Sequence, residues 1–420
     1  MVMPATQIVT EMTHKARQEP APPLQLRNRR PEALALVLVL WASALWVVGT
    51  AGPLDRFGTL KGTDFSQFYV SARLIATGHS GDLYNWSAYT HVLANQVPGP
   101  EGLLYLPVYP PVLALLLAPL GVLSYLSALA GWTVISAGTY LAAGTCLVAK
   151  VPGLRRDPVS AGLLVIAFPA FQQLLLYGQV SALAMLLVAA AWRGWTTGHN
   201  ALAGVALGAL VFKPQMLGLA LSASLLAPSW ALVSGVAIAI SIALLGTGLL
   251  LGPDVYWGYA ETLRRVLAHP GAFEPKAEQI QSLRGFLLAL GGGSAATTVL
   301  FVAGAVAVLL LARQSARRAP TPDVAFAVIV VTGLLVNPHL YVYDLVVLLV
   351  PLALVTGWLA STPLSSRAMR QAGSAVLLLY WLPLVAPALG LLHVQLTAPA
   401  MLWLLWSLRQ ASRTPATAGR

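Results

Sequence analysis

Uninterrupted apolar runs dominate the chain. They lie at 33–52, 106–120, 124–149, 158–177, 178–193, 200–213, 214–228, 230–251, 286–312, 322–337, 340–360, 371–392 and 398–410. A helix needs about 20 apolar residues to cross the hydrocarbon core of a bilayer, and many of these runs approach that length. They are too long, and too continuously apolar, for the alternating strands of an outer-membrane barrel. The pattern predicts an all-α polytopic integral membrane protein, a helical bundle with about 11–13 transmembrane or re-entrant helices. Two stretches, 53–105 and 252–285, are longer and less apolar, and they read as external loops.

Several runs are irregular. Run 106–120 carries Pro107, Pro110, Pro111 and Pro119, and it is expected to re-enter or cross incompletely. Pro214 separates the short runs 200–213 and 214–228, which read as two half-length helices or one kinked span. In the first loop, DFSQFYVSARLIATG at 64–78 puts Phe65, Phe68, Tyr69, Ala72, Ile75 and Ala76 on one helical face. Gly78 is then a C-terminal cap. Asn85 to Asn95 gathers Trp86, Tyr89 and Leu93 in the same way. Both segments are expected as juxtamembrane helices on the outer membrane surface.

Composition sharpens this picture. Of 420 residues, 57% are hydrophobic and 9% charged, against about 25% charged in an ordinary soluble domain. That excludes a soluble enzyme, a disordered protein and a nucleic-acid binder. The net charge of +11 reads as the usual excess of Lys and Arg in cytoplasmic loops. It places Lys150/Arg155/Arg156, Arg313/Arg317/Arg318, Arg367/Arg370 and the tail with Arg409 and Arg413 in the cytoplasm. The basic, Pro-rich residues 1–32 form a cytoplasmic tail before an uncleaved first span, 33–410 is one membrane domain, and 411–420 is a second tail. Thirteen full crossings would separate the two termini, so at least one run should cross incompletely. Arg264, Arg265, Lys276 and Arg284 fall in the external segment 252–285, where lipid phosphates are candidate partners. The lone Cys146 makes no internal disulfide, and the sequence requires no metal or other cofactor.

This charge-based topology brings a set of polar residues to the outer face without having used them. They are Asp64, Gln179 in the Tyr177–Gly178–Gln179 turn, Lys213 at its helix break, Gln281 and Ser282, and His339 with Asn337, Tyr343 and Asp344. Bland roles exist for each. Asp64 suits an N-cap, Gln179 a turn cap and Lys213 snorkelling to lipid phosphate. His339 suits a backbone contact, Asp344 a salt bridge, and the aromatics an interfacial belt. The chemical alternative is an Asp general base acting on a hydroxyl, with Lys213, His339 or an external Arg at a phosphate leaving group. No Gly-rich phosphate loop, Walker motif or dinucleotide fingerprint occurs. A donor delivered within the membrane fits better than a soluble nucleotide donor.

Six stretches, in order, resemble glycosyltransferase family 87, the polyprenyl-phosphate-mannose-dependent α-mannosyltransferases of GT-C fold. They are GTDFSQFYVSARLIATGHSGDLYN at 62–85, YLPVYPPVLALLLAPLGVL at 105–123 and YGQVSALAMLLVAAAW at 177–192. GVALGALVFKPQ at 204–215, QSLRG at 281–285 and NPHLYVYDLVVLLVPL at 337–352 complete the set. The resemblance implies that Asp64 is the catalytic base. It implies a donor site built by Lys213, His339, Gln179, Gln281 and Tyr69. The chain departs from the family pattern at Tyr343–Asp344, where a His or Trp usually precedes the Asp, and at Val180–Ser181, where Asn is frequent.

The reading that follows is a membrane glycosyltransferase. It would move a hexose, mannose in first place, from a polyprenyl-phosphate-sugar donor to a lipid or glycan acceptor on the extracytoplasmic face of a bacterial inner membrane. The rivals are a transporter or lipid flippase, with Lys213–Pro214 as a discontinuous helix, and a non-catalytic membrane scaffold.

Overall fold

A computed structural model describes residues 30–99, 106–269, 279–362 and 366–412. Among the described residues there are 19 α-helices and no strand, so the protein is an all-α polytopic membrane protein. The first helices are α1 Arg30–Val48, α2 Phe65–Ala76, α3 Trp86–Gln96, α4 Pro111–Leu117, α5 Tyr125–Lys150 and α6 Pro152–Arg155. Next come α7 Pro158–Ile166, α8 Pro169–Tyr177, α9 Ser181–Thr196, α10 Asn200–Gly208, α11 Leu217–Leu226 and α12 Trp230–Leu251. The last are α13 Asp254–Ala268, α14 Leu283–Gly291, α15 Ala295–Arg317, α16 Pro322–Leu335, α17 Leu349–Ser361, α18 Arg367–Leu391 and α19 Thr397–Ala411.

Among the described residues, six helices are long and apolar enough to cross a membrane: α1, α5, α12, α15, the stretch Val342–Ser361 that ends in α17, and α18. Their burial differs sharply. Val342–Ser361 is 83% buried, whereas α1 is 11% and α12 and α15 are each 17% buried. A helix apolar on every side is either a protein core or a lipid-facing perimeter, and both kinds occur here. Central α16 belongs to the first kind, with every residue from Phe326 to Leu335 buried.

The irregular runs break where the sequence places turn residues. Pro169 bends α7 and α8 apart by 40°. Run 106–120 yields an apolar helix over only Pro111–Val122, about 18 Å at 1.5 Å per residue, which is short of the roughly 30 Å hydrocarbon core. Run 286–312, expected as one helix, is two. α14 stops at Gly292, whose φ is +66°, and α15 restarts after Ser294, which caps the Thr297 N–H.

The expected helix after Asp64 forms, but eight of its twelve residues are buried inside the protein. It does not lie on lipid by one face alone. Its end is a Schellman turn, with Gly78 N–H bonded to Ile75 O and His79 N–H to Leu74 O. The second helix starts at Asn85, whose side chain accepts from Ala88 N, and it buries Tyr89 and Leu93. Segment 252–285, read from the sequence as loop, contains the amphipathic helix α13. There Arg264 and Arg265 bond Glu261 at 2.8 and 2.9 Å. Those bonds hold the Glu261 carboxyl down at about 2. Lys276 and most of the two tails lie outside the described residues.

The basic clusters converge on one end of the bundle. Arg30 bonds Asp157 and Ser160. Arg156 donates to Ala360 O, and Arg409 donates to Gln314 at the far end of α15. Asp64, Gln179 and Lys213 sit at the opposite end of the helices that join them. α10 and α12 meet backbone to backbone. A Cβ on Gly204 would fall 2.0 Å from Leu232 O, and one on Gly235 would fall 2.2 Å from Ala201 O. Small residues four apart permit such an approach between membrane helices.

Candidate active site

Asp64 is held by its own backbone. Its N–H bonds Tyr177 O at 3.1 Å and the Gly62 N–H bonds Leu176 O at 3.2 Å, which straps the first loop to the end of α8. Asp64 precedes α2 yet makes no side-chain cap bond. Its buried carboxylate instead accepts from Gln179 Nε2 at 2.7 Å. The turn that presents Gln179 demands glycine before it. Gly178 has φ +68°, and a Cβ there would come within 2.6 Å of Phe65 Cβ. Trp132 Nε1 donates to Gly178 O at 3.1 Å and fixes the same turn from α5.

Lys213 is the sole residue between two short 3₁₀ segments, 209–212 and 214–216, that part α10 from α11. Its φ of −132° and ψ of 80° interrupt the helix, as Pro214 requires of the residue before it. The side chain is fully buried, so it does not snorkel. Nζ lies 2.5 Å from Asp344 Oδ1, 2.8 Å from Ser181 Oγ and 3.4 Å from Gln179 Oε1. Ser181 donates to the same Asp344 oxygen, and Asp344 Oδ2 accepts from Tyr341 N at 3.2 Å. The amide of Gln179 therefore faces carboxylate with its nitrogen and ammonium with its oxygen. In their ionised forms, two carboxylates and one ammonium leave the cluster with one excess negative charge.

Tyrosines wall the cluster. The Tyr343 ring lies 5.3 Å from Lys213 Nζ and 5.6 Å from the Tyr177 ring. The Tyr109 hydroxyl interacts with the side-chain amides of Gln179 and Gln215. Tyr84 donates to Tyr109 O at 2.7 Å, and its ring lies 5.5 Å from Tyr259 of α13. Burial, reinforced by Tyr109, pushes the Tyr259 hydroxyl up to about 12, so it remains protonated. A narrow cleft adjoins on the α2 side, lined by Gln67, Phe68, Ser71, Tyr109, Pro110 and Leu113 among others. Phe68 closes against Tyr109 at 5.0 Å.

Of the residues singled out in the sequence, Asp64, Gln179 and Lys213 form one hydrogen-bonded chain. His339 lies two rings away, its imidazole 4.7 Å from Tyr341, which stacks on Tyr343. Gln281 supports that turn. Its N–H bonds Leu340 O at 2.6 Å, and its side chain accepts from Thr397 Oγ1 at 2.6 Å. Tyr69 stands apart, with its hydroxyl on Leu123 O and its ring against Phe65 and Tyr125. Ser181, Tyr109 and Gln215 were not singled out as site residues. A serine opening an apolar helix and a tyrosine beside prolines carry no mark of a partner 163 or 70 residues away. Among the described residues no three His, Cys, Asp or Glu side chains group to hold a metal ion.

Fold and site together define a polytopic membrane protein with a buried carboxylate–amide–ammonium centre at one end of its bundle. The model of glycosyltransferase family 87 matches residues 108–338, over half of the chain, and the chain belongs to that family. It is a membrane glycosyltransferase. The matched stretch contains Gln179, Ser181, Lys213 and Gln281, while Asp344 lies shortly after its end and Asp64 well before its start. No curated protein and no solved structure matches the chain.

Proposed function

We propose that the protein transfers a hexose, mannose in first place, from a polyprenyl-phosphate donor to a hydroxyl of a lipid or glycan acceptor. Asp64 takes the acceptor proton as general base. The freed oxygen attacks C1 of the β-linked sugar, the bond from C1 to the phosphate oxygen breaks, and the product is α-linked. Polyprenyl phosphate leaves with the bonding pair. Lys213 supplies positive charge to that phosphate, sharing its ammonium between Asp344 and the ligand, and His339 and Gln281 line the donor side. Gln179 orients Asp64 and reports the position of Lys213 to it. Tyr69 supports the donor side indirectly, through the packing of α2. Residues 33–410 act as one membrane domain with loops 53–105 and 252–285 on the extracytoplasmic face of a bacterial inner membrane.

One observation carries this reading. Asp64 is buried, is not used as a helix cap, and is aimed by an amide whose other end touches Lys213. That arrangement sets a proton acceptor beside a buried ammonium, the two groups that a general base and a leaving phosphate call for. The test is transfer by purified protein in lipid from labelled polyprenyl-phosphate-mannose to extracted membrane acceptors, beside Asp64→Asn. Transfer by the wild type and a loss of about 10²–10⁴-fold in the variant is the expected result for a general base. Equal transfer by both removes Asp64 from the mechanism. No transfer by the wild type from this donor, with transfer from another lipid-linked sugar, corrects the donor alone.

A further inference from the structure

We propose that α13 is an interfacial helix, seated in the lipid head-group layer at the site end of the bundle. Its two faces have different partners. Val255 and Thr262 are buried. Tyr259 meets Tyr84, and a Cβ at Gly258 would touch the Tyr84 side chain at 3.0 Å, so that face is committed to the first loop. The other face carries Trp257, Ala260, Leu263, Arg264 and Leu267, which recur at helical spacing. Trp257 is 77% and Leu267 80% exposed. Water is a poor partner for that much apolar surface on one stripe.

The neighbouring span says what covers it. α12 ends only two residues earlier, at Gly252–Pro253, and its last turn exposes Leu249 and Leu250. At 1.5 Å per residue the 22 residues of α12 span about 33 Å, the thickness of a hydrocarbon core. An exposed tryptophan marks each end, Trp230 as the first residue of α12 and Trp257 just after it runs out. Tryptophans concentrate at both membrane interfaces. The exposed stripe of α13 is thus continuous with a lipid-facing wall, and it leaves that wall where the head groups begin. Arg264 and Arg265, with Glu261, give the polar edge one net positive charge, which suits phospholipid phosphates.

This seat has a consequence for the proposed reaction, and that consequence rests on the proposed function. Tyr259, Tyr84, Tyr109 and Gln179 link α13 to Asp64 in successive contacts. The centre then lies close to head-group depth, where the phosphate of a lipid-linked donor resides.

The test needs no transfer reaction. Full-length protein is placed in nanodiscs of phosphatidylethanolamine and phosphatidylglycerol, and nitroxides are attached at Trp257→Cys and Leu267→Cys in a Cys146→Ser background. Leu249→Cys serves as the lipid-core reference. Collisions with oxygen exceeding those with a water-soluble nickel complex, at a depth shallower than position 249, are expected at both sites. Nickel collisions dominating at both overturn the proposal. If either labelled variant fails to fold, quenching by brominated lipids is compared in unlabelled wild type and Trp257→Phe. A smaller quenched fraction in the variant supports the seat, and an unchanged one overturns it. Transfer activity has no bearing on either readout, so the seat and the chemistry stand or fall separately.

Discussion

Lys213 and Asp344, 131 residues apart in the chain, meet at 2.5 Å with neither side chain exposed by more than 1%. Such a pair is costly to assemble and more costly to break. Removing one partner strands a buried charge, at about 3–5 kcal/mol. Lys213→Met and Asp344→Leu are each expected to lower the thermal midpoint in detergent markedly. The double variant should recover most of the loss, because an apolar replacement of both charges is often neutral. Sugar transfer should stay low in that folded double variant if the ammonium serves the phosphate. Recovery of transfer along with stability would make the pair purely structural.

Gln179 joins the two halves of the centre, so its loss should appear in turnover more than in folding. Gln179→Leu removes the bond at 2.7 Å to Asp64. A hydrogen bond to a charged group contributes about 1.5–3 kcal/mol, which corresponds to about a tenfold to hundredfold loss of kcat. KM for the acceptor should move little. A variant whose kcat is unchanged would show that Asp64 is aimed by its backbone alone.

Two glycine-to-alanine changes should differ in sign. At Gly178 the left-handed φ of +68° and the Phe65 contact at 2.6 Å both oppose a methyl group. Gly178→Ala is expected to cost about 1–3 kcal/mol and to displace Gln179. Gly138, in the middle of α5, has nothing within 4 Å of a built Cβ. Gly138→Ala should be neutral or stabilising by about 0.5–1 kcal/mol. Thermal midpoints of the two variants decide this.

At the other end of the bundle, burial by itself would raise the Asp157 carboxyl. The bonds from Arg30 and Ser160 outweigh it and hold the group below the usual carboxylate range. A depressed carboxylate contributes stability that is present above its unfolded value, about 3.9, and lost as pH falls through the folded one. Arg30 is 40% exposed, so solvent screening limits the pair to about 1 kcal/mol or less. Arg30→Ala should therefore be slightly less stable than wild type at neutral pH. The gap should close in acid, and unfolding midpoints across pH check it.

The first helix within the first loop was legible because Phe65, Phe68, Tyr69 and Ala72 repeat at helical spacing. Asp64, Gln179 and Lys213 stood out as polar groups where apolar runs stop. α13 was missed because its apolar stripe is diluted by Glu261, Arg264 and Arg265 within a segment of low average hydropathy. The break inside 286–312 did carry a local signal, the turn-forming Gly291–Gly292–Gly293–Ser294, which the apolar residues on either side mask when the run is averaged. Pairings such as Ser181 with Asp344 depend on which helices pack side by side. That is decided by side-chain and glycine contacts across the bundle, which no local pattern records.

Those glycine contacts also bear on how exacting the chemistry can be. The α10–α12 seam at Gly204 and Gly235 has no side chain between its two backbones, so it cannot be re-tuned by rotating a rotamer. Lys213 hangs five residues beyond Gly208 on the same mount. The reach of its ammonium is thus calibrated against a membrane-spanning rod. A substitution that wedges the seam open would mis-set the centre from a distance, silencing the enzyme while leaving every polar residue of the site in place.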